Sequence, residues 1–319
     1  MPRPSLAVRL TVFAMACCAL AARPSPSQAA ESYKAIYVFG DSLSDAGNDW
    51  IGTLGAEPKS PPYYKGHFSN GLTWVEDLSS ALRLGVLKPS IAGGHDFAFG
   101  GAESGPTLVH TLSETPPDLP WQVIEFKAQV PKPAADALYV LWIGSNDLFD
   151  MLGHNPALTP AQLAKGIKQV VANETGAIAA LAAFAAPTPL HLLVLTAPDL
   201  GKVPGVASQG AVAAAAGSAL AATFDAALTT AVQAEAQGLG ITLTVVDAYT
   251  TMDTFISNPS TYGFTDVIDP CWTGTYAGTG GTVCSKLKSV QNQHLFWDQV
   301  HPTASAHSLI AATVKSQLP

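Results

Sequence analysis

"KAIYVFGDSLSDAGN", residues 34–48, changes character in its middle. Its first half is an apolar run of the kind that forms a strand buried on both faces of a parallel sheet. Its second half is Gly, Asp, Ser and further turn formers, so the strand must stop near Gly40 and pass into a polar turn. In open parallel sheets ligands bind outside the carboxyl ends of strands. This turn is therefore where chemistry should be sought.

Three other stretches have the same buried-strand character: "ALYVLWIG" (137–144), "LHLLVLTAP" (190–198) and "ITLTVVDAY" (241–249). Helix-like segments lie between and after them, at 73–84, 159–185, 211–237 and 303–318. Thr159 followed by Pro160 is a helix start signal. The segment 211–237 is rich in Ala, and its periodic Leu, Phe and Val predict a helix packed closely on the sheet. Strand alternating with helix predicts an α/β fold with one parallel sheet covered on both faces. No stretch of linker composition interrupts residues 34–318, so a single domain over 31–319 is expected. The irregular stretches 45–70, 102–120 and 258–296 are long for loops and are expected to shape a binding site.

Of the 319 residues, 48% are hydrophobic and 13% charged, which supplies a core and argues against disorder. The net charge of -8, with no basic cluster, excludes nucleic acid as a partner. Residues 1–30 read as a signal peptide: Arg3 and Arg9, an apolar run from Leu10 to Ala22, then the small-residue exit "PSPSQAA". That run is shorter than the ~18 residues needed to span a bilayer, so no transmembrane anchor is expected. No Leu stands three residues before Cys17 or Cys18, which argues against a lipoprotein signal. The chain is thus expected to be secreted, extracellular or periplasmic, and monomeric. Two cysteines remain after the leader, Cys271 and Cys284, and in an oxidising compartment their expected state is a disulfide worth roughly 3 kcal/mol. Two thiols without CxxC or His spacing do not suggest a metal site.

Polar residues collect at the strand ends: "GDSLSD" after the first, "GGAESG" (100–105) after the short "HDFAF", and "GSND" (144–147). A fourth group, "FWDQVHPTASAH", places Asp298 and His301 three apart before the last helix. A serine, a histidine beside a carboxylate and backbone donors are the parts for acyl transfer. Serine is a weak nucleophile until a neutral imidazole accepts its proton, and the imidazole needs a partner on its other nitrogen. Each part also has a plainer reading: Ser42 as a helix cap, "GSND" as a turn, Asp298 and His301 as a surface turn. A calcium loop in "DSLSDAGND" is excluded, because Leu43 stands where an oxygen ligand belongs and Ala46 where Gly is needed.

"FGDSLSDAGN", "DFAFGGAES", "IGSND" and "DQVHPTASAH", in this order over nearly the whole mature chain, resemble the sequence blocks of the GDSL family of the SGNH hydrolase superfamily. The resemblance implies a flavodoxin-like three-layer α/β/α sandwich and hydrolysis of carboxylic esters without a cofactor. It also implies roles. Ser42 is the nucleophile and an oxyanion donor through its N–H, Gly101 and the Asn146 amide are further donors, His301 is the base and Asp298 its orienter. Asp96 stands where the family commonly has Asn, which leaves Gly100 as an alternative to Gly101. The leading expectation is a secreted serine esterase or lipase acting on a lipid or carbohydrate ester. Acyl transfer to an alcohol or sterol and a carbohydrate acetylesterase use the same residues. A non-catalytic binding module would require at least one eroded block, and all four are intact. Trp50, Tyr63, Tyr64, Phe68, Trp272 and Tyr276 are candidates to line an acyl or sugar pocket.

Overall fold

The first strand, β1 (Ala35–Gly40), pairs in parallel with β2 (Ala137–Trp142), β2 with β3 (His191–Leu195), and β3 with β4 (Thr242–Val246). The computed structural model describes residue 1, residues 33–154 and residues 156–319; the signal-peptide expectation falls outside the described residues. On the free side of β1 the segment "HDFAF" runs alongside as an extended edge. The Val38 N–H donates to the His95 carbonyl (3.0 Å), and the Phe97 and Phe99 N–H groups donate to the carbonyls of Val38 (2.8 Å) and Gly40 (3.2 Å). Counting that edge as the second strand in the chain, the spatial order is 2-1-3-4-5, the flavodoxin-like arrangement.

Among the described residues ten α-helices accompany the sheet: α1 (Asn48–Gly52), α2 (Trp74–Ala81), α3 (Leu119–Gln129), α4 (Ser145–Gly153), α5 (Pro160–Ala185), α6 (Pro204–Ala207), α7 (Ala211–Leu239), α8 (Ala248–Ser257), α9 (Lys288–Gln291) and α10 (Ala304–Gln317). Strand side chains alternate between faces with period two. Tyr37, Phe39, Tyr139, Leu141, Leu192 and Val194 enter one core with α3, α5 and α7. Ile36, Val38, Val140, Trp142, Leu193 and Leu195 enter another with α2, α8 and α10. The result is a three-layer α/β/α sandwich, as the strand and helix pattern predicts.

Helix α5 begins where Thr159 and Pro160 place it. The Thr159 N–H donates to the Gln162 side chain (2.9 Å) and the Gln162 N–H to the Thr159 hydroxyl (3.4 Å). Such a reciprocal cap contributes about 1 kcal/mol. Helix α7 is long and apolar, and Leu220, Phe224, Leu228 and Val232 form the stripe it buries on the sheet. Three differences from the sequence reading are physical in origin. Helix α3 lies in and beyond the stretch read as irregular, because its buried face includes a polar residue, Gln122, that breaks the apolar period. "GSND" is not a turn alone but opens α4, with Gly144 as its left-handed cap. Strand β4 ends at Val246, because the Asp247 carboxylate caps α8 by accepting the Thr250 N–H (2.8 Å).

Candidate active site

Gly40 ends β1 so close to β2 that a Cβ there would stand 2.4 Å from the Trp142 carbonyl oxygen, leaving room for no other residue. The side chain of Gln122, brought by α3, closes the strand end. It accepts from the Gly40 N–H (2.9 Å) and donates to the Gly40 carbonyl (2.8 Å). The chain then turns through Asp41, whose carboxylate accepts the Leu43 N–H at 2.9 Å. Burial pushes the Asp41 carboxyl up to about 6, against that bond and the His301 charge. Ser42 follows at the carboxyl end of the sheet.

The Ser42 Oγ and His301 Nε2 are 2.7 Å apart, although 259 residues separate them in the chain. The other ring nitrogen, Nδ1, lies 2.9 Å from both carboxylate oxygens of Asp298. The spacing of three between Asp298 and His301 has a local cause. Asp298 Oδ1 accepts the N–H groups of Val300 and His301, each at 2.8 Å, so the carboxylate folds its own turn and then faces the ring. Its Oδ2 accepts the Tyr63 hydroxyl at 2.7 Å. Burial alone would raise Asp298, but the charge of His301, the bonds from His301 and the Tyr63 hydroxyl together hold its carboxyl below the ordinary range. Phe68 and Tyr276 pack on the imidazole, with ring centroids 5.1 and 5.7 Å away.

The loop after β1 is tied to the loop at Gly100 by Asp45. This buried carboxylate accepts the N–H groups of Gly47 (2.7 Å), Asn48 (2.6 Å), Asp49 (3.1 Å) and Gly100 (3.0 Å). The Gly100 N–H is thereby committed, whereas the N–H groups of Ser42 and Gly101 have no hydrogen-bond acceptor among the described residues. Asp96 uses one oxygen to accept the Ala46 N–H (2.6 Å) and the other for Ala98 (3.1 Å), fastening the same two loops. On the β2 side, Gly144 has φ of +104°, and a Cβ there would meet Phe224 at 2.9 Å and Glu174 at 3.2 Å. Glycine is required on both counts. Two residues later Asn146 donates one amide N–H to the Ala102 carbonyl at 2.8 Å, leaving its second N–H for a ligand. Ser42, after the first strand, and Asn146, after the third in the 2-1-3-4-5 order, flank the switch point where such sheets bind ligands.

Beside Ser42 and Asn146 opens a cleft lined mainly by apolar side chains, among them Leu43, Phe149, Leu200, Val203, Met252 and Ile256. Lys202 stands in its lining and pairs with Asp253 at 2.7 Å. The aromatic residues that the sequence offered for this role are elsewhere. Tyr63, Phe68 and Tyr276 surround Asp298 and His301, and Trp272 packs with Tyr63, Trp297 and the Cys271–Cys284 disulfide. That disulfide braces the histidine loop, since the Cys271 N–H donates to the Phe296 carbonyl at 3.1 Å. Phe149, Leu200, Val203, Met252 and Ile256 come from α4, the 198–203 segment and α8, and nothing in their local sequence marks them as cleft residues. Tyr63 was legible as an aromatic but not as a partner of Asp298, from which 235 residues separate it.

A serine hydroxyl in contact with an imidazole, with a buried carboxylate behind that ring, is an arrangement that can drive acyl transfer. The chain is 27% identical over 330 residues to a phosphatidylcholine-sterol acyltransferase of Aeromonas hydrophila, covering 89% of this chain and 90% of that one. It is 27% identical over 308 residues to an acetylesterase of Thermothelomyces thermophilus, covering 92% and 91%. Among solved structures, a phospholipase A1 of Streptomyces albidoflavus NA297 aligns with a TM-score of 0.45 and 15% identity over 89% of this chain and 99% of that one. Residues 36–314 match the model of the family described as GDSL-like Lipase/Acylhydrolase, and the chain belongs to that family of carboxylic ester hydrolases.

Proposed function

We propose that the chain is a secreted serine esterase of lipid acyl esters, with Ser42 as nucleophile, His301 as base and Asp298 as orienter of the base. The observation that carries this reading is the 2.7 Å contact between Ser42 Oγ and His301 Nε2. Ser42 attacks the ester carbonyl while Nε2 takes its proton. Charge on the carbonyl oxygen is met by the N–H groups of Ser42 and Gly101 and by the Asn146 amide. Nε2 then protonates the leaving alcohol, and water repeats the sequence on the acyl-enzyme to release the acid. Each step uses side chains and backbone of this chain alone.

The cleft beside Ser42 is lined mainly by apolar side chains, which favours an apolar acyl group over a polar one. Export is supported by the pattern of residues 1–30 and by the disulfide between Cys271 and Cys284. The active form is then residues 31–319 as a monomeric domain. Transfer of the acyl group to an alcohol in place of water is a second reading, favoured by the similarity to an acyltransferase over nearly the full length of both chains.

A panel of p-nitrophenyl esters from acetate to palmitate tests the substrate class, and added alcohol tests transfer. Maximal turnover is expected above acetate, with Ser42→Ala inactive and a serine-directed phosphonate bound covalently at Ser42. Turnover by Ser42→Ala equal to the parent would overturn the assignment. Preference for acetate would overturn the lipid reading and leave the nucleophile standing.

A further inference from the structure

Glu103, His110, Asp118 and Asp150 meet where the 102–118 loop crosses helix α4, apart from the residues that carry the ester chemistry. Glu103, His110 and Asp150 each present a ligand atom, and these atoms lie within 4.8 Å of one another. Glu103 is only 5% exposed, and its Oε2 has no hydrogen-bond donor among the described residues. A buried carboxyl oxygen without a donor is an acceptor left open to a ligand.

The imidazole shows what kind of partner fits. His110 Nε2 lies 2.9 Å from Asp118 Oδ2, and Asp118 is itself buried and accepts the N–H groups of Glu103 (3.0 Å) and Ser113 (2.6 Å). Asp118 thus holds one side of the ring, and the other ring nitrogen, Nδ1, lies 3.3 Å from Glu103 Oε1. A carboxylate holding the far nitrogen of an imidazole, with the near nitrogen turned to further carboxylates, is the outer arrangement found around histidine metal ligands.

We propose that Glu103, Asp150 and His110 Nδ1 bind a divalent cation, with Asp118 fixing the tautomer of the histidine ligand. Two carboxylates with one imidazole suit Zn²⁺ or Mn²⁺ better than Ca²⁺ or Mg²⁺, which favour all-oxygen shells. Ligand atoms about 2.0–2.2 Å from one ion lie no more than about 4.4 Å apart, so a small rotation of the exposed Asp150 completes the shell. The 103, 110 and 150 spacing matches no short metal motif, so the sequence does not announce the site. The ion would link the 102–118 loop to α4. One turn before Asp150, Asn146 holds the Ala102 carbonyl at 2.8 Å, so the ion braces the same junction from its outer side.

The test is calorimetric titration of EDTA-treated mature protein with Mn²⁺ and with Zn²⁺. One equivalent is expected to bind to the parent and to Asp136→Asn, an exposed acid at the opposite end of β2. Affinity is expected to fall about tenfold or more in Glu103→Gln and in Asp150→Asn. In the parent protein, Mn²⁺ is expected to broaden the His110 ring resonances before those of the other histidines. Absence of binding at millimolar ion, equal binding by the carboxylate variants, or prior broadening of another histidine would each overturn the proposal. The second outcome means adventitious surface binding; the first means that Glu103 and Asp150 share a proton instead. The resonance measurement needs no variant, so it decides even if Glu103→Gln fails to fold.

Discussion

The Tyr63 hydroxyl donates a 2.7 Å hydrogen bond to Asp298 Oδ2, one of the oxygens that face His301 Nδ1 at 2.9 Å. Tyr63 acts through Asp298 and is a positioning residue. Tyr63→Phe keeps the ring in its aromatic cluster and removes only the bond. A hydrogen bond to a charged group is worth about 1.5–3 kcal/mol. Steady-state kinetics on a p-nitrophenyl ester are expected to show kcat lowered by about tenfold or more with KM nearly unchanged. A raised KM with normal kcat would mean that Tyr63 supports substrate binding and not the carboxylate.

Asn146 is expected to act on an oxyanion present only in the transition state. Asn146→Ala should therefore reduce kcat by on the order of 10²- to 10³-fold while KM changes little. Phosphonate labelling of Ser42 should still reach completion, given time. A variant whose main defect is KM would remove Asn146 from the oxyanion site and place it among the binding residues.

Ile256 lies on α8 in the lining of the apolar cleft. Ile256→Trp should shorten the space available to an acyl chain. Palmitate and octanoate esters should lose kcat/KM relative to acetate, measured on the same preparation. An unchanged ratio across chain lengths would show that acyl groups lie elsewhere.

Glu174 is fully buried on α5, and neither carboxylate oxygen has a hydrogen-bond partner among the described residues. Burial first, and then the charges of Asp147, Asp225 and Asp41, push its carboxyl well above the ordinary value of 4.5. The sign follows from proton counting. Above 4.5 the unfolded chain releases this proton while the folded chain keeps it, so stability falls as pH rises. Glu174→Gln removes that dependence. Thermal melts at mildly acidic and mildly alkaline pH should show a smaller loss of Tm with rising pH in the variant than in the parent. Equal losses would show that Glu174 is ionised in the folded protein.

The disulfide closes a 13-residue separation next to the histidine loop. Replacing Cys271 and Cys284 by Ser should cost roughly 3 kcal/mol in denaturant unfolding, by the loop-closure estimate. Turnover should fall as well, because the Cys271 N–H holds the Phe296 carbonyl two residues before Asp298. Loss of stability with full activity would separate the brace from the site.

The sequence makes the sheet legible because the stretches at 34–40, 137–144 and 190–198 are apolar on both sides, a signal carried by each segment alone, whereas β4 at the sheet edge is mostly half-buried, with Thr242 exposed. Ser42 and Asn146 were legible as short blocks at strand ends, and the Asp298–His301 pair as a short block before the last helix. What escaped depends on distant partners. Gln122 reads as a flaw in an amphipathic helix until the end of β1 is beside it. Asp45 reads as one more turn former, yet it bonds the Gly100 N–H across 55 positions and so commits Gly100, leaving the N–H of Gly101 open. Ile256 and Val203 reach the cleft only through the packing of α8 and the 198–203 loop. Periodicity reports which face of an element is buried but not what it is buried against.

The proposed nucleophile and base stand near opposite ends of the chain, Ser42 just after β1 and His301 just before α10. A growing or threading polypeptide therefore carries its serine long before it carries anything able to activate it. On the proposed route of export, the serine thus emerges before the histidine proposed to activate it. Only when α10 has docked against α2 and the histidine loop has closed does the chain acquire the power to cut an ester. Completion of folding itself is the safety catch.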